Sequence, residues 1–331
     1  MEKIKYNLQL FAENTNVTTS PGLTDEMKTY YSDYLIDNAI PKLVHDQFGQ
    51  KHPIPKNGGK TIEFRKYSPL PKLTKPLTEG VTPDGQSLTM STFEATVAQF
   101  GGYVTLSDVL LLTAIDNNLV QATKLLGAQA GATLDTITRE VLNGGTNVIF
   151  SGGVNAREDL VGGAETGNCY LTVDDVKKAV RLLKTQNAEQ ISGSWVGIIH
   201  PDISYDLTND PAWKDVKTYS DPSDIYEGEI GKLYGVRFVE TTEAKIWAGA
   251  GSGNRAVYST LILGDNAYGT TEISGGGLQH IVKQLGSAGT GDPLNQRATA
   301  GWKATKVAER LVENYMVRIE SASTFNPDVN N

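Results

Sequence analysis

The segment from residue 58 to residue 102 limits the possible folds more than any other part of the chain. Gly58-Gly59 precedes a strand-like run, TIEF; Pro69, Pro71, Pro76 and Pro83 crowd a polar stretch; LTMSTFEATVAQF then resumes strand spacing up to Gly101-Gly102. Two strand runs with glycine pairs at the base and prolines stiffening the tip describe a long hairpin able to swing about its root. Gly58, Gly59, Gly101 and Gly102 are the expected hinges. A compact domain gains little from such a projection, because a two-stranded element buries too little of itself. Its apolar contacts are therefore expected on another chain.

The hairpin also carries charge. Lys56, Lys60, Arg65, Lys66, Lys72 and Lys75 stand against the single acid Glu63 between residues 56 and 75. The run reads either as a solvated surface or as a basic arm lying across an acidic neighbour. On the second reading Arg65, Lys66, Lys72 and Lys75 are inter-subunit contacts. The whole chain has 38 acidic and 30 basic residues, a net charge of -8, which argues against a groove that neutralises phosphates.

At 331 residues with 39% hydrophobic composition, the chain is long enough for one or two domains and a sizeable core. Cys169 is the only cysteine, so no intrachain disulfide can form and packing must hold the fold. In MEKIKYNLQLFAEN, Gln9 and Glu13 interrupt the apolar run, so no export signal is expected. Nor does any stretch approach the ~18 apolar residues of a membrane span. A soluble protein, intracellular when made, is the expectation.

Residues 13 to 24 read as an extended arm and residues 24 to 48 as a helix up to Pro41. From Ser107 to Asn143 an apolar stripe recurs every three or four residues: Ile115, Leu119, Ala122, Leu126, Ala130, Leu134, Ile137 and Val141. This predicts a long helix, closed by Gly144-Gly145. Thr172 and Asp175 form a capping box for a following amphipathic helix, SWVGIIHP is a short buried strand, and DISYDLTND is a brief helix. Residues 172 to 265 thus alternate helix and strand as one unit. LQHIVKQL, ATAGWKAT and YMVRIES return to strands, the last with Tyr315, Val317 and Ile319 on one face.

The search for chemistry yields little. NGGKT at 57 to 61 ends like a phosphate-binding loop, but Ile54 stands where its first glycine belongs and a strand follows. GAGSGN at 249 to 254 lacks the third glycine of a dinucleotide fingerprint. His200-Pro201-Asp202 pairs a histidine with a carboxylate at a strand end; Asp202 reads better as the N-cap of the next helix. Four histidines without HExxH or a cysteine cluster make no metal site, and no GxSxG occurs. Catalytic residues, cofactors and metals are accordingly expected to be none.

NLQLFAE (7 to 13), HPDISYDLTNDPAW (200 to 213), GEIGKLYGVRFVET (228 to 241), DPLNQRATAGWKA (292 to 304) and YMVRIESAS (315 to 323) occur in order along nearly the whole chain. Together they resemble the major capsid proteins of tailed double-stranded DNA bacteriophages with the Hong Kong 97-like fold. The resemblance implies an α+β fold of four parts. These are an N-terminal arm (1 to 50), an extended loop or E-loop hairpin (51 to 103), a peripheral domain with a spine helix (104 to 171 and 266 to 331), and an inserted axial domain (172 to 265). It implies a shell of hexamers and pentamers, an icosahedral head around double-stranded DNA held without sequence-specific binding, and no membrane partner. A separate scaffold protein and a portal are implied partners, with assembly in the host cytoplasm and residence in the virion. Lys72 or Lys75 with Asn295 are candidates for an inter-subunit crosslink by residue type only. An encapsulin-like nanocompartment, or a small α/β enzyme using His200 and Asp202, are the alternatives.

Overall fold

A computed structural model describes residues 15–16, 44–80, 82–113, 118–162, 168–213, 231–287 and 289–327. Most of the expected arm and residues 24 to 43 of the expected first helix lie outside this set; residues 45 to 48 form turns, so no helix extends to 48.

The first strands are β1 (Thr15–Asn16), β2 (Gln50–Lys51), β3 (Thr61–Tyr67), β4 (Met90–Thr96) and β5 (Ala98–Ser107). Helices α1 (Asp108–Thr113) and α2 (Asn118–Asn143) follow, with residues 114 to 117 between them outside the described set. Beyond β6 (Val148–Phe150) come α3 (Val173–Thr185), β7 (Trp195–Ile199), α4 (Pro201–Asn209), β8 (Lys232–Leu233), β9 (Val236–Glu240), β10 (Ile246–Gly251) and β11 (Arg255–Leu263). The chain closes with β12 (Tyr268–Thr271), β13 (Gln279–Lys283), β14 (Arg297–Arg310) and β15 (Met316–Ser321).

Among the described residues the strands form three sheets. The first has the order β1-β5-β14-β12-β2, with β13 also paired to β14. Its backbone is the long antiparallel pair of β5 and β14, in register from Ser107 opposite Arg297 to Ala98 opposite Lys306. The second has the order β6-β15-β11-β7-β9-β8 with β10 paired to β11, and it mixes parallel and antiparallel pairs. The third is the isolated pair β3-β4. Residues 172 to 265 supply only part of the second sheet, because β6 and β15 come from outside that range.

Helix α2 spans about 39 Å at about 1.5 Å per residue and joins the two large sheets. Leu119, Leu126, Ala130 and Leu134 pack with Leu106, Ala300, Trp302 and Ala304 of the first sheet. Near its C-terminus the buried position is Leu142 rather than Val141, and Leu142 packs with Val196, Ile198, Leu261 and Met316 of the second sheet. The stripe turns around the helix because the surface it faces changes from one sheet to the other.

The second sheet is covered on both faces. Val176, Ala179, Val180 and Leu183 of α3 and Ile203 and Leu207 of α4 pack on one side against Ile262, Val317 and Ile319. The end of α2 and Tyr268 close the other. A strand covered on both faces is buried throughout. Every residue of β15 is therefore buried, including Arg318 and Glu320, in place of the one-sided alternation expected from Val317 and Ile319.

Candidate assembly surface

The hairpin β3-β4 runs in register from Thr61 opposite Thr96 to Tyr67 opposite Met90, and ends where Ser68 N–H donates to the Thr89 carbonyl at 2.9 Å. Proline donates no backbone hydrogen bond, so the tract holding Pro69, Pro71, Pro76 and Pro83 continues without a ladder. None of its described side chains joins a core cluster. Tyr67 is 62% exposed, Leu73 81%, Leu77 76% and Leu88 70%, so an apolar surface with no cover from its own chain runs along the flap. Lys66, Lys72 and Lys75 are exposed on the same element, and Arg65 Nε lies 3.3 Å from Glu63 Oε1.

The root lies at Lys60 and Val97, whose N–H donates to the Lys60 carbonyl at 2.8 Å. Gly58 and Gly59 sit in the turn just before it; Gly59 has φ +86°, a conformation that glycine adopts without strain. Gly101 and Gly102 are not at the root. They lie inside β5, opposite Lys303 and Trp302. A Cβ on Gly101 would come within 2.6 Å of the Trp302 carbonyl oxygen, and one on Gly102 within 2.8 Å of Gln129 Oε1. Their bareness permits close approach of β14 and α2, which is a packing role rather than a hinge.

Buried ionic joints hold the body from which the flap projects. His45 Nδ1 lies 2.6 Å from Asp135 Oδ2, and the His45 N–H donates to Asp135 Oδ1 at 2.8 Å. Next to it Thr138 Oγ1 donates to Asp46 at 2.6 Å, and Lys306 Nζ bonds both Asp46 and the Leu134 carbonyl. Burial pushes the Lys306 ammonium below its usual range, opposed by Asp46. Residues 45 and 46 are thereby fixed to α2 and β14. At the far end of α2, Glu320 accepts from Arg157 at 2.6 and 2.7 Å and from Arg318 Nε at 2.8 Å. Arg318 also bonds the Asn143 and Gly145 carbonyls, satisfying the helix C-terminus, and the Arg157 guanidinium lies 3.7 Å over the Trp247 ring. Local spacing marks neither joint: Arg318 and Glu320 are two residues apart on β15, but Arg157, Asp135, Asp46 and Lys306 meet their partners from distant parts of the chain.

His200 and Asp202 have structural partners. His200, not Asp202, is the N-cap of α4: its Nδ1 accepts the Asp202 N–H at 3.2 Å, with Pro201 at the first helical position. Proline's fixed φ starts the helix at residue 201, which moves the cap one residue upstream of it. Asp202 accepts from the Tyr258 hydroxyl at 2.6 Å, and Ser204 donates to Glu240. Burial, then Asp202, raises the Tyr258 pKa; burial lowers that of His200, opposed by Asp202 and Glu240. Among the described residues no group of three His, Cys, Asp or Glu is placed to hold a metal ion, and no helix is long and apolar enough to cross a membrane.

The sequence model of a family described as phage capsid protein matches residues 113–284, just over half of the chain. The chain belongs to that family. This phage major capsid protein has the Hong Kong 97-like α+β fold, and its place is the virion capsid. It is similar to the capsid protein of Ralstonia phage GP4, with a TM-score of 0.64 and 14% identity over 85% of this chain and 88% of that one. It is also similar to the capsid protein of cyanophage Pam1, with a TM-score of 0.58 and 15% identity over 97% of this chain and all of that one. For cyanophage P-SCSP1u the TM-score is 0.58 at 14% identity, over 96% of this chain and 93% of that one. At such identities the likeness is one of fold. No curated protein sequence matches the capsid protein.

Proposed function

We propose that the capsid protein assembles as hexamers and pentamers into an icosahedral head enclosing double-stranded DNA, each flap covering the next copy in the ring. The exposed flap carries this reading: Leu73, Leu77 and Leu88 are more than two-thirds exposed on an element that no core cluster of its own chain includes. A projection that packs on the next copy makes a head-to-tail contact, and such contacts close into rings. Many modest contacts then give a durable shell. Gly58 and Gly59 let the flap adjust at its root, and Arg65, Lys66, Lys72 and Lys75 meet the neighbouring copy. The net charge of -8 suits DNA that is enclosed without sequence-specific binding.

Within this scheme residues 1 to 50 serve as the arm and 51 to 103 as the E-loop. Residues 104 to 171 with 266 to 331 form the peripheral domain, and 172 to 265 supply most of the axial unit around a ring axis. A separate scaffold protein and a portal complete the head in the host cytoplasm. The family match favours a phage head over a nanocompartment of the same fold. Electron microscopy of the purified protein, expressed alone and with its scaffold partner, tests the reading. Rings or closed shells are the expected result; a stable monomer at high concentration in both preparations overturns it.

A further inference from the structure

The face of the first sheet turned away from α2 carries a recess of about 240 Å³. Tyr103 and Ile281 are its walls and Gly301 is its floor, since Gly301 pairs with Tyr103 on one side and with Ile281 on the other. The floor is obligatory glycine: a Cβ at residue 301 would lie 2.8 Å from the Cβ of Tyr103. Tyr103 is 75% exposed and Ile281 37%, so the walls stand in solvent around an apolar slot. Cations lie at both ends. Lys303 is two residues along β14 from Gly301, and Lys283 is two residues along β13 from Ile281, both exposed.

The tip of the flap is complementary to this slot in charge. Its basic residues all lie between 56 and 75, whereas residues 77 to 88 carry Glu79 and Asp84 and no base. Leu77 stands exposed at the start of this acidic tip. We propose that Leu77 of one copy seats in the Tyr103–Ile281 slot of the next, with Glu79 paired to a lysine at the slot's end. Two residues of extended backbone span about 7 Å. An acid at that distance from the seated leucine meets Lys303 or Lys283 whichever way the tip runs along the sheet. The long stem of Lys75 lets its ammonium remain in water.

The slot belongs to a different copy because β4 passes into β5 through Val97 alone and still touches β14. From Met90 to Tyr103 an extended strand covers about 43 Å at about 3.3 Å per residue, and Leu77 lies beyond Met90 in the tip. Knob and slot lie at opposite ends of one long element, so docking of one copy's tip in the next copy's slot joins copies head to tail. This docking rests on the shell reading above and adds its contact point.

Cysteines at Leu77 and Ile281, both exposed, test it in assembled particles; native Cys169 is buried. Oxidation of the Leu77→Cys/Ile281→Cys chain is expected to give a ladder of covalent multimers on a non-reducing gel, collapsed by reductant. Particles that form but yield only monomer, or a faster-migrating intrachain species, overturn the docking while leaving the shell reading intact. Failure of the unmodified chain to assemble, with or without scaffold, defeats the shell reading and the docking with it. Should the cysteine chain alone fail to assemble, particle yield decides: Glu79→Lys is expected to lower it at least about tenfold, and added Lys283→Glu and Lys303→Glu to restore it. Loss without restoration, or no loss, overturns the proposal.

Discussion

His200 caps α4 through a ring nitrogen that accepts a backbone N–H, and it can do so only while that nitrogen is unprotonated. Burial lowers its pKa below 6.5, opposed by the charges of Asp202 and Glu240, and burial lowers that of His280 as well. In a base with a depressed folded pKa, the unfolded chain takes up its proton first as the pH falls. The stability is therefore fully present above 6.5 and is lost as acidification proceeds from 6.5 toward the folded value. A tenfold difference in proton affinity corresponds to about 1.4 kcal/mol. The melting temperature should fall between about pH 7.5 and pH 5.5. His200→Asn keeps a cap acceptor without the titration, so calorimetry across that range should show a shallower decline in the variant; an unchanged slope would remove His200 from the effect. Residue roles were legible where partners are close in sequence: Thr172 and Asp175 form the expected capping box on α3. Lys306 and Asp46, 260 positions apart, offer no such cue.

At the scale of elements, α2 was legible as a long helix because its apolar stripe repeats at the helical period. What it joins was not. Its C-terminus is fastened to β15 by Arg318, and the fully buried Glu320 carboxylate neutralises buried Arg318 and half-buried Arg157. Removing one member of a buried ionic group leaves the others uncompensated, which is costlier than the group's net contribution. Glu320→Gln should destabilise the chain by roughly 3 kcal/mol, read from the denaturant midpoint. A shift below about 0.5 kcal/mol, the range of ordinary surface substitutions, would show that the clamp between α2 and β15 carries little. The same burial explains why β15 departs from alternation. Periodicity reports which face is apolar, but a strand covered on both sides hides its polar residues in pairs instead of turning them to water.

For the whole molecule, the body packs on itself and the tip of the flap does not. Among the described residues the core clusters draw nothing from residues 69 to 87, so the interior does not depend on the tip of the hairpin. Deleting residues 69 to 87 should leave the circular dichroism spectrum and melting temperature of the body nearly unchanged and abolish closed shells in electron micrographs. Normal shells from that deletion would leave the flap without a part in assembly. The sequence by itself determined the paired strands of the hairpin, the long helix and the Thr172–Asp175 cap, because each is set by local residues: proline's missing donor, apolar spacing of two or of three and four, a capping box three positions long. Tertiary structure alone decided that Gly101 and Gly102 are packing surfaces, that His45 and Asp46 lock onto α2 and β14, and that Tyr103, Gly301 and Ile281 meet in one slot. Those relations arise when strands and helices far apart in the chain are laid side by side, and local spacing carries no record of which neighbour that will be.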